Sequence, residues 1–149
     1  MANGLKEWKD YKATCDIPFA DLPYLVDGDT KITETKSIQA YIAAKYKPEL
    51  TGSGPAERAR VYQMLCIVLD VFAKFLTMGM KTADQMEIYE EAKTSLAPIV
   101  ECLTRQKFIC GDKVTLPDFS LFESINYLNA LGCAQGGMSD SSKAFQDFP

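Results

Sequence analysis

Residues 19–46 read FADLPYLVDGDTKITETKSIQAYIAAKY, and the periodicity of this stretch changes halfway. Residues 22–26 (LPYLV) have the two-residue alternation of a β-strand, and residues 31–33 resume a second strand after the turn signal DGD. From Glu34 onward the apolar residues recur with the spacing of one helical face, at Ile38, Tyr41, Ile42 and Tyr46. The stretch therefore predicts a β-hairpin followed directly by a helix.

Two features of this stretch raise questions about function. Pro23 stands inside the first predicted strand, where a proline needs a sheet edge or a cis peptide bond. Glu34 and Thr35 place a carboxylate and a hydroxyl where the helix begins, beside the unpaired N–H groups and the positive dipole end of a helix start. Such a start is commonly only a solvated cap, but it can also hold a ligand with both charges on one carbon, such as an α-amino acid.

The rest of the chain predicts a linker followed by helices only. Residues 47–54 (KPELTGSG) have the composition of a linker, and two long helices are predicted over residues 55–103, with a kink or a break at Pro98. A last helix begins with a capping box in which Thr115 is the N-cap and Asp118 reaches back to it, so both residues have a structural role. The residues expected to face the core are Val61, Leu65, Leu69, Phe72 and Leu76 in the first long helix, and Met86, Tyr89, Leu96, Val100 and Leu103 in the second.

The composition of the 149 residues excludes several classes of function. A net charge of −4 argues against nucleic acid or an anionic membrane as the main partner. There is neither an apolar signal segment nor a run of about 18 continuous apolar residues, so no membrane span is predicted. The absence of histidine removes Ser-His-Asp and Cys-His catalysis and most zinc chemistry, and no metal site is predicted. Five cysteines without CxxC spacing fit a reducing, cytoplasmic compartment.

Taken in order, these motifs resemble the glutathione transferases, most closely the mu class, with the sigma and alpha classes as near relatives. The sequence at 22–46 resembles the glutathione-binding half of that family. ERARVYQMLCIVLD (57–70) resembles the first helix of its all-α domain, and FICGDKVTLPDFSLFESI (108–125) resembles its capping-box helix. The resemblance implies an α+β fold with a partial thioredoxin-like piece at 1–46 (hairpin plus helix), a linker at 47–54, and an all-helical C-terminal domain at 55–149 that is incomplete at its end.

The resemblance also implies a glutathione-binding site. It matches the family's binding positions at Trp8, Lys12, Leu22, Pro23, Glu34, Thr35 and Asp70. Trp8 and Lys12 would contact the glycine carboxylate of glutathione, and Leu22, which precedes Pro23, would pair with the cysteinyl part through its backbone.

At the other end of the ligand, Glu34 and Thr35 would hold the γ-glutamyl group. Asp70 of a neighbouring subunit would reach the γ-glutamyl amine, so the resemblance implies a homodimer. Asp70 lies on an otherwise apolar helix, and because a buried carboxylate is costly without a partner, it needs an interface, a ligand or a basic neighbour, of which we favour the dimer interface.

The implied reaction is the conjugation of reduced glutathione to hydrophobic electrophiles, with glutathione as co-substrate and no cofactor. The family's tyrosine, which donates a hydrogen bond to the glutathione sulfur, has no match here because Tyr11 and Tyr24 lie in the wrong segments. No catalytic residue is therefore assigned, and the chain is expected to be a fragment or a truncated product. Met78 and Met80 are candidates to line the electrophile's pocket or to fill the core.

Two other hypotheses stay open beside the enzyme. The second is a non-catalytic member, a glutathione-transferase-like binding or structural module that dimerises without turnover. The third is a cysteine-type transferase that uses Cys15. This hypothesis is weakened because Cys15 lies in a loop rather than at a helix start.

Overall fold

In a computed structural model of the chain, residues 2–81 and 84–134 are described, and they divide into two units between Lys47 and Pro48. The N-terminal unit contains α1 (Ala2–Thr14), β1 (Tyr24–Asp27), β2 (Thr30–Thr33) and α2 (Thr35–Tyr46). The C-terminal unit contains a short 3-10 helix (Pro48–Thr51), α3 (Pro55–Lys81), α4 (Gln85–Leu103) and α5 (Leu116–Ala134). The predicted α+β order, a hairpin plus a helix and then a helical domain, is confirmed.

The domain boundaries at 46/47 and 54/55 stay predictions. Within the predicted linker 47–54, the residues Pro48–Thr51 form the 3-10 helix, which packs against α3. The predicted domain end at 149 lies outside the described residues.

The hairpin has the local geometry that its sequence predicts. β1 and β2 pair antiparallel, and the pair Asp27 and Thr30 closes a two-residue turn. Gly28 is the first residue of that turn and has φ of 60°, a conformation that glycine adopts without steric cost. The Leu22–Pro23 peptide bond is cis, and Pro23 precedes the strand rather than interrupting it.

Helix α1 was not anticipated by the sequence, because ANGLKEWKDYKAT carries no apolar stripe that would mark a buried helical face. It contacts the hairpin through aromatic rings. The Trp8 ring stacks on Tyr24 with centroids 5.8 Å apart, and the Tyr11 ring stacks on Tyr24 with centroids 5.9 Å apart. Stacked rings of this kind are a source of stabilisation that periodicity does not reveal.

The hydrophobic core of the C-terminal unit lies among α3, α4 and α5. Its buried residues are Met64, Val68, Phe75, Ile88, Ala92, Leu96, Ile99, Ile109, Leu121 and Leu128. Helices α3 and α5 approach closely at Gly79, where an added Cβ would lie 2.7 Å from the Tyr127 hydroxyl oxygen. Only glycine fits there without displacing Tyr127.

The predicted inward faces of α3 and α4 are partly wrong. Val61, Leu65 and Leu96 are buried as expected, but Leu76 is 37% exposed and Met86 is 51% exposed. Both helices carry apolar residues on more than one side, so periodicity alone did not select the packed face. Helix α4 also runs unbroken through Pro98, and its first residue follows the N-cap Asp84, whose carboxylate accepts the N–H groups of two residues of the first turn.

Half of the predicted capping box of α5 is present. An Asp118 carboxylate oxygen accepts the Thr115 N–H at 2.7 Å, and the other oxygen accepts the Ile109 N–H at 2.9 Å. The Thr115 hydroxyl donates to the same carboxylate at 3.0 Å instead of accepting an N–H from the helix. Asp118 therefore ties the first turn of α5 to the turn before it.

The hydropathy of α3 differs from the expectation, drawn from the sequence, that the chain contains no candidate membrane span. By length and mean hydropathy it meets the requirement for a membrane span, although its apolar residues are not continuous, and 28% of its apolar window is buried. The core helix of a soluble protein passes the same test, so this finding is weak evidence for a membrane. Its low burial shows that α3 has an apolar side that the C-terminal unit does not cover.

Candidate functional site

Six of the seven predicted glutathione contacts lie in the N-terminal unit, and Asp70 lies on α3 in the C-terminal unit. The start of α2 has the most unusual backbone of the six. Glu34 has φ of 73° and ψ of 121°, a left-handed conformation that is uncommon outside glycine. Its carbonyl accepts the Ile38 N–H at 3.0 Å and so begins the helix, but its side chain makes no capping hydrogen bond.

Glu34 and Thr35 are both exposed, and the start of α2 is therefore open to a ligand. The first N–H groups of a helix have no partner within the helix, and together with the dipole they favour a carboxylate. The Glu34 carboxylate can accept from an ammonium group, and the Thr35 hydroxyl adds a donor. These groups are chemically complementary to an α-amino acid head group, and binding of the γ-glutamyl end there stays a prediction.

Lys12, on the last turn of α1, is held near the aromatic cluster. Its Nζ atom lies 3.6 Å from an Asp21 carboxylate oxygen and 6.0 Å from the centroid of the Trp8 ring. The side chains of Lys12 and Asp21 are 46% and 65% exposed, and an ion pair this exposed contributes little to stability. A ligand carboxylate can therefore compete with Asp21 for Lys12.

Asp21 also accepts a hydrogen bond from the Leu22 N–H, the backbone group that was predicted to pair with the cysteinyl part of the ligand. The Leu22 N–H donates to an Asp21 carboxylate oxygen at 3.0 Å, and the Leu22 side chain is exposed. Asp21 thus contacts two predicted ligand-binding groups, and the sequence reasoning missed it. The signal was available, because an aspartate commonly bonds a nearby backbone N–H in loops and turns.

The two tyrosines of this region are engaged with each other. A hydrogen bond with Tyr24 raises the pKa of Tyr11, and burial raises it further. Both rings remain partly exposed, at 44% for Tyr11 and 38% for Tyr24. Neither phenol is assigned a catalytic role.

Cys15 follows the last residue of α1, and its N–H donates to the Tyr11 carbonyl at 2.8 Å. Reactive cysteines associated with helices lie at N-terminal ends, whereas Cys15 lies at a C-terminal end. Its position gives no support to a cysteine-type mechanism.

Asp70, on α3, is exposed in the single chain, so the cost of burying a carboxylate does not apply to the chain by itself, and its place at a dimer interface stays a prediction. Met78 packs against the core, whereas Met80 is 79% exposed. Among residues 2–81 and 84–134, no three His, Cys, Asp or Glu side chains are grouped to hold a metal ion.

Comparison with known proteins identifies the fold and then the family. The crystal structure of the glutathione S-transferase Blo t 8 matches with a TM-score of 0.69 over 97% of this chain and 72% of that chain, at 22% identity. The chain therefore has a fold found in glutathione transferases.

The family follows from sequence. Residues 57–148 match the family model for the C-terminal domain of glutathione S-transferase. The class-mu 26 kDa isozyme of Schistosoma mansoni is 30% identical over 139 residues, which cover 83% of this chain and 68% of the relative. Glutathione S-transferase Mu 6 of Mus musculus is 28% identical over 133 residues, covering 80% and 56%. The chain belongs to the glutathione S-transferase family, and it spans roughly three fifths of the length of such relatives.

Proposed function

We propose that this protein is a mu-like glutathione transferase that conjugates reduced glutathione to hydrophobic electrophiles in the cytoplasm. The observation that carries the proposal is the open start of α2, where Glu34 has a left-handed backbone and its side chain makes no capping hydrogen bond, in a chain whose helical domain belongs to the family. Backbone conformations of this kind cluster at ligand-binding sites. The N-terminal unit is then the glutathione-binding, thioredoxin-like part of the enzyme.

In this proposal each end of glutathione has its own partners. The γ-glutamyl carboxylate binds the N–H groups of α2 and the Thr35 hydroxyl, and the γ-glutamyl ammonium binds Glu34. Asp70 of a second subunit also approaches that ammonium. The cysteinyl backbone pairs with Leu22, the residue that precedes Pro23.

The glycine end binds Trp8 and Lys12, and it displaces the Asp21 carboxylate from Lys12. Conjugation then forms a bond between the glutathione sulfur and the electrophile. Glutathione is a co-substrate here, and no cofactor or metal is invoked. No residue of the described chain is assigned to hold the sulfur as a thiolate.

Isothermal titration calorimetry of the chain with reduced glutathione tests the site. Thr35→Val removes one hydroxyl from the α2 start, and we expect the dissociation constant to rise about tenfold, the usual effect of losing a hydrogen bond to a charged group. Thr94→Val is the matched control, because Thr94 is exposed on α4 and its hydroxyl donates to the Glu90 carbonyl of the same helix. No heat from the wild-type chain, or equal heat from the Thr35 variant, would refute the site.

A non-catalytic, glutathione-transferase-like binding or structural module is the second candidate. The observation that favours it is the stacking of the Tyr11 and Tyr24 rings, whose centroids lie 5.9 Å apart, so that both phenol side chains are engaged in the aromatic cluster. The two candidates are separated by measuring retention on immobilised glutathione together with conjugation of an aryl halide. Retention without conjugation supports the module, and retention with conjugation supports the enzyme.

The homodimer that the family resemblance implies has a physical basis on α3. Six residues recur there at alternating spacings of four and three, the pattern of a helix–helix seam: Tyr62, Cys66, Leu69, Ala73, Leu76 and Met80. Tyr62 and Met80 are 56% and 79% exposed. We call these six residues the outer stripe and propose that it packs against a second copy of the chain.

Analytical ultracentrifugation of Ala73→Glu tests this dimer, because a buried unpaired charge in the middle of a seam is costly. We expect the variant to sediment as a monomer at concentrations where the wild type is a dimer. Ala97→Glu makes the same change at an exposed position of α4 and should leave the dimer intact. A wild-type monomer, or an Ala73→Glu dimer of unchanged affinity, would contradict the proposal.

A further inference from the structure

A cavity of about 330 Å³ opens between the start of α3 and the end of α4. Its lining residues are Arg60, Pro98, Glu101, Cys102, Arg105 and Gln106. None of them belongs to the proposed glutathione site, and the volume falls in the range of small-molecule pockets. The cavity lies wholly within the C-terminal unit.

The charged groups of this cavity favour an anion. Arg60 donates to the Gln63 side-chain oxygen at 3.1 Å, and Arg105 pairs with Glu101. Since a guanidinium has five N–H donors, both arginines keep donors for a ligand. Two arginines against one glutamate leave a net positive charge, and a guanidinium binds a carboxylate with matching planar geometry.

Cys102 supplies the reactive atom among these groups. Its half-buried sulfur lies 3.6 Å from the Ile109 carbonyl oxygen and 3.2 Å from the Gln106 side-chain nitrogen. The same Gln106 nitrogen also donates to the carbonyls of Phe108 and Ile109, at 2.8 and 2.6 Å. These hydrogen bonds fix the wall of the cavity around a thiol, which is the strongest nucleophile among the lining groups.

We infer that this cavity is a modification site, where Cys102 forms a mixed disulfide with a small disulfide that carries carboxylates, held by Arg60 and Arg105. The Cys102 thiolate attacks one sulfur of the ligand, the ligand's S–S bond breaks, and a new S–S bond forms to Cys102. Cys102 is oxidised, and the released half of the ligand leaves as a reduced thiolate that takes up the proton Cys102 lost. This inference depends on neither glutathione conjugation nor the α2 site.

The test uses the reduced full chain and two probes, oxidised glutathione, which carries carboxylates, and 2-hydroxyethyl disulfide, which does not. Mass-spectrometric peptide mapping measures the rate of modification at each cysteine. We expect oxidised glutathione to modify Cys102 before Cys110, because burial raises the pKa of the Cys110 thiol. The preference of Cys102 for oxidised glutathione over the neutral probe should fall about tenfold in Arg60→Gln, as expected when a charged hydrogen bond is lost.

Arg105→Gln is the second variant, and it should lower the same preference less because Arg105 already pairs with Glu101. Its side chain is 71% exposed, so folding is preserved, and circular dichroism checks this for both variants. Lys107→Gln is the charge-matched control, an exposed cation outside the cavity that should leave the preference unchanged.

Three results would overturn the inference. One is modification of Cys102 no faster than that of the other cysteines. Another is a preference of Cys102 for oxidised glutathione that is unchanged in both Arg60→Gln and Arg105→Gln, which would indicate ordinary thiol reactivity. The last is loss of the adduct in Thr35→Val, which would trace it to the α2 site, whereas a Thr35→Val chain that still forms the adduct separates this inference from the proposed function.

Discussion

The two units of this chain are stabilised by different forces. In the part of the chain that the structure describes, the buried hydrophobic residues of the N-terminal unit are Ile17 and Ala43, whereas most of those of the C-terminal unit form one core among three helices. Both units expose large apolar side chains, and those of the N-terminal unit are Tyr11, Phe19, Leu22, Tyr24, Val26, Ile42 and Tyr46. The proposed glutathione-binding residues thus lie mostly on the unit with little core of its own.

Surface contacts hold the N-terminal unit together. Asp27 at the end of β1 pairs with Lys45 of α2 and accepts the Tyr41 hydroxyl at 2.9 Å, and Asp16 pairs with Lys31 of β2. Exposed pairs are individually weak, and a lone two-stranded hairpin is marginal in water. We therefore expect the helical unit to determine global stability and the N-terminal unit to respond to ligand and pH.

The largest expected effect comes from the core of the helical unit. Phe75 is fully buried, and Phe75→Ala should lower the free energy of unfolding by about 3–5 kcal/mol in urea titrations followed by circular dichroism. Phe119→Ala is the matched control on α5, where the ring is 51% exposed, and it should change little. Equal losses in the two variants would contradict the assignment of the core.

A smaller loss is expected at the start of α5. Asp118→Ala removes the acceptor of two backbone N–H groups, those of Ile109 and Thr115, and should cost about 2 kcal/mol of unfolding free energy. Asp112→Ala removes an exposed carboxylate from the preceding turn and serves as the control. If both variants were equally stable, the hydrogen bonds that connect α5 to the turn before it would contribute nothing to the free energy of unfolding.

The hairpin and α2 could be predicted from sequence because strand alternation, a glycine turn and a helix start are local signals. Asp118 was predicted for the same reason, since its capping partner lies three residues away. The packed face of α3 was not resolved, because the outer stripe competes with the core face in the same sequence. Helix α1 and the Asp21–Lys12 pair escaped prediction because their contacts depend on residues brought together only by folding, whereas the bond between Asp21 and the adjacent Leu22 N–H is a local signal that was missed.

The response to acid should separate the two units. The hydrogen bond from Lys45 lowers the pKa of Asp27 in the folded chain. The contribution of the ionised Asp27 carboxylate to stability is therefore fully present above its unfolded pKa of about 3.9. That contribution is lost as pH falls through the lower folded value. We expect Asp27→Asn to remove this acid sensitivity from the amide NMR shifts of β1 and α2.

The helical unit contains a matching pair for this experiment. The hydrogen bond from Lys74 lowers the pKa of Glu91 in the same way, and a hydrogen bond from Ser95 lowers it further. Glu91→Gln should therefore remove acid sensitivity from α3 and α4 but not from the hairpin. Asp29→Asn, in the exposed turn, controls for the loss of a carboxylate near β1. Acid sensitivity of the hairpin that survives Asp27→Asn would show that another group controls this unit.

The smallest expected effect concerns the binding of glutathione by the N-terminal unit. Asp21 bonds both Lys12 and the Leu22 N–H, so Asp21→Ala should free both for glutathione and lower its dissociation constant by up to about fivefold, the scale of one exposed ion pair. Asp21→Asn should do less, because its amide oxygen can still accept the Leu22 N–H. Asp10→Asn, an exposed change of the same charge on α1, should leave calorimetric affinity unchanged. A weaker affinity in Asp21→Ala would mean that Asp21 positions the ligand-binding groups instead of competing for them.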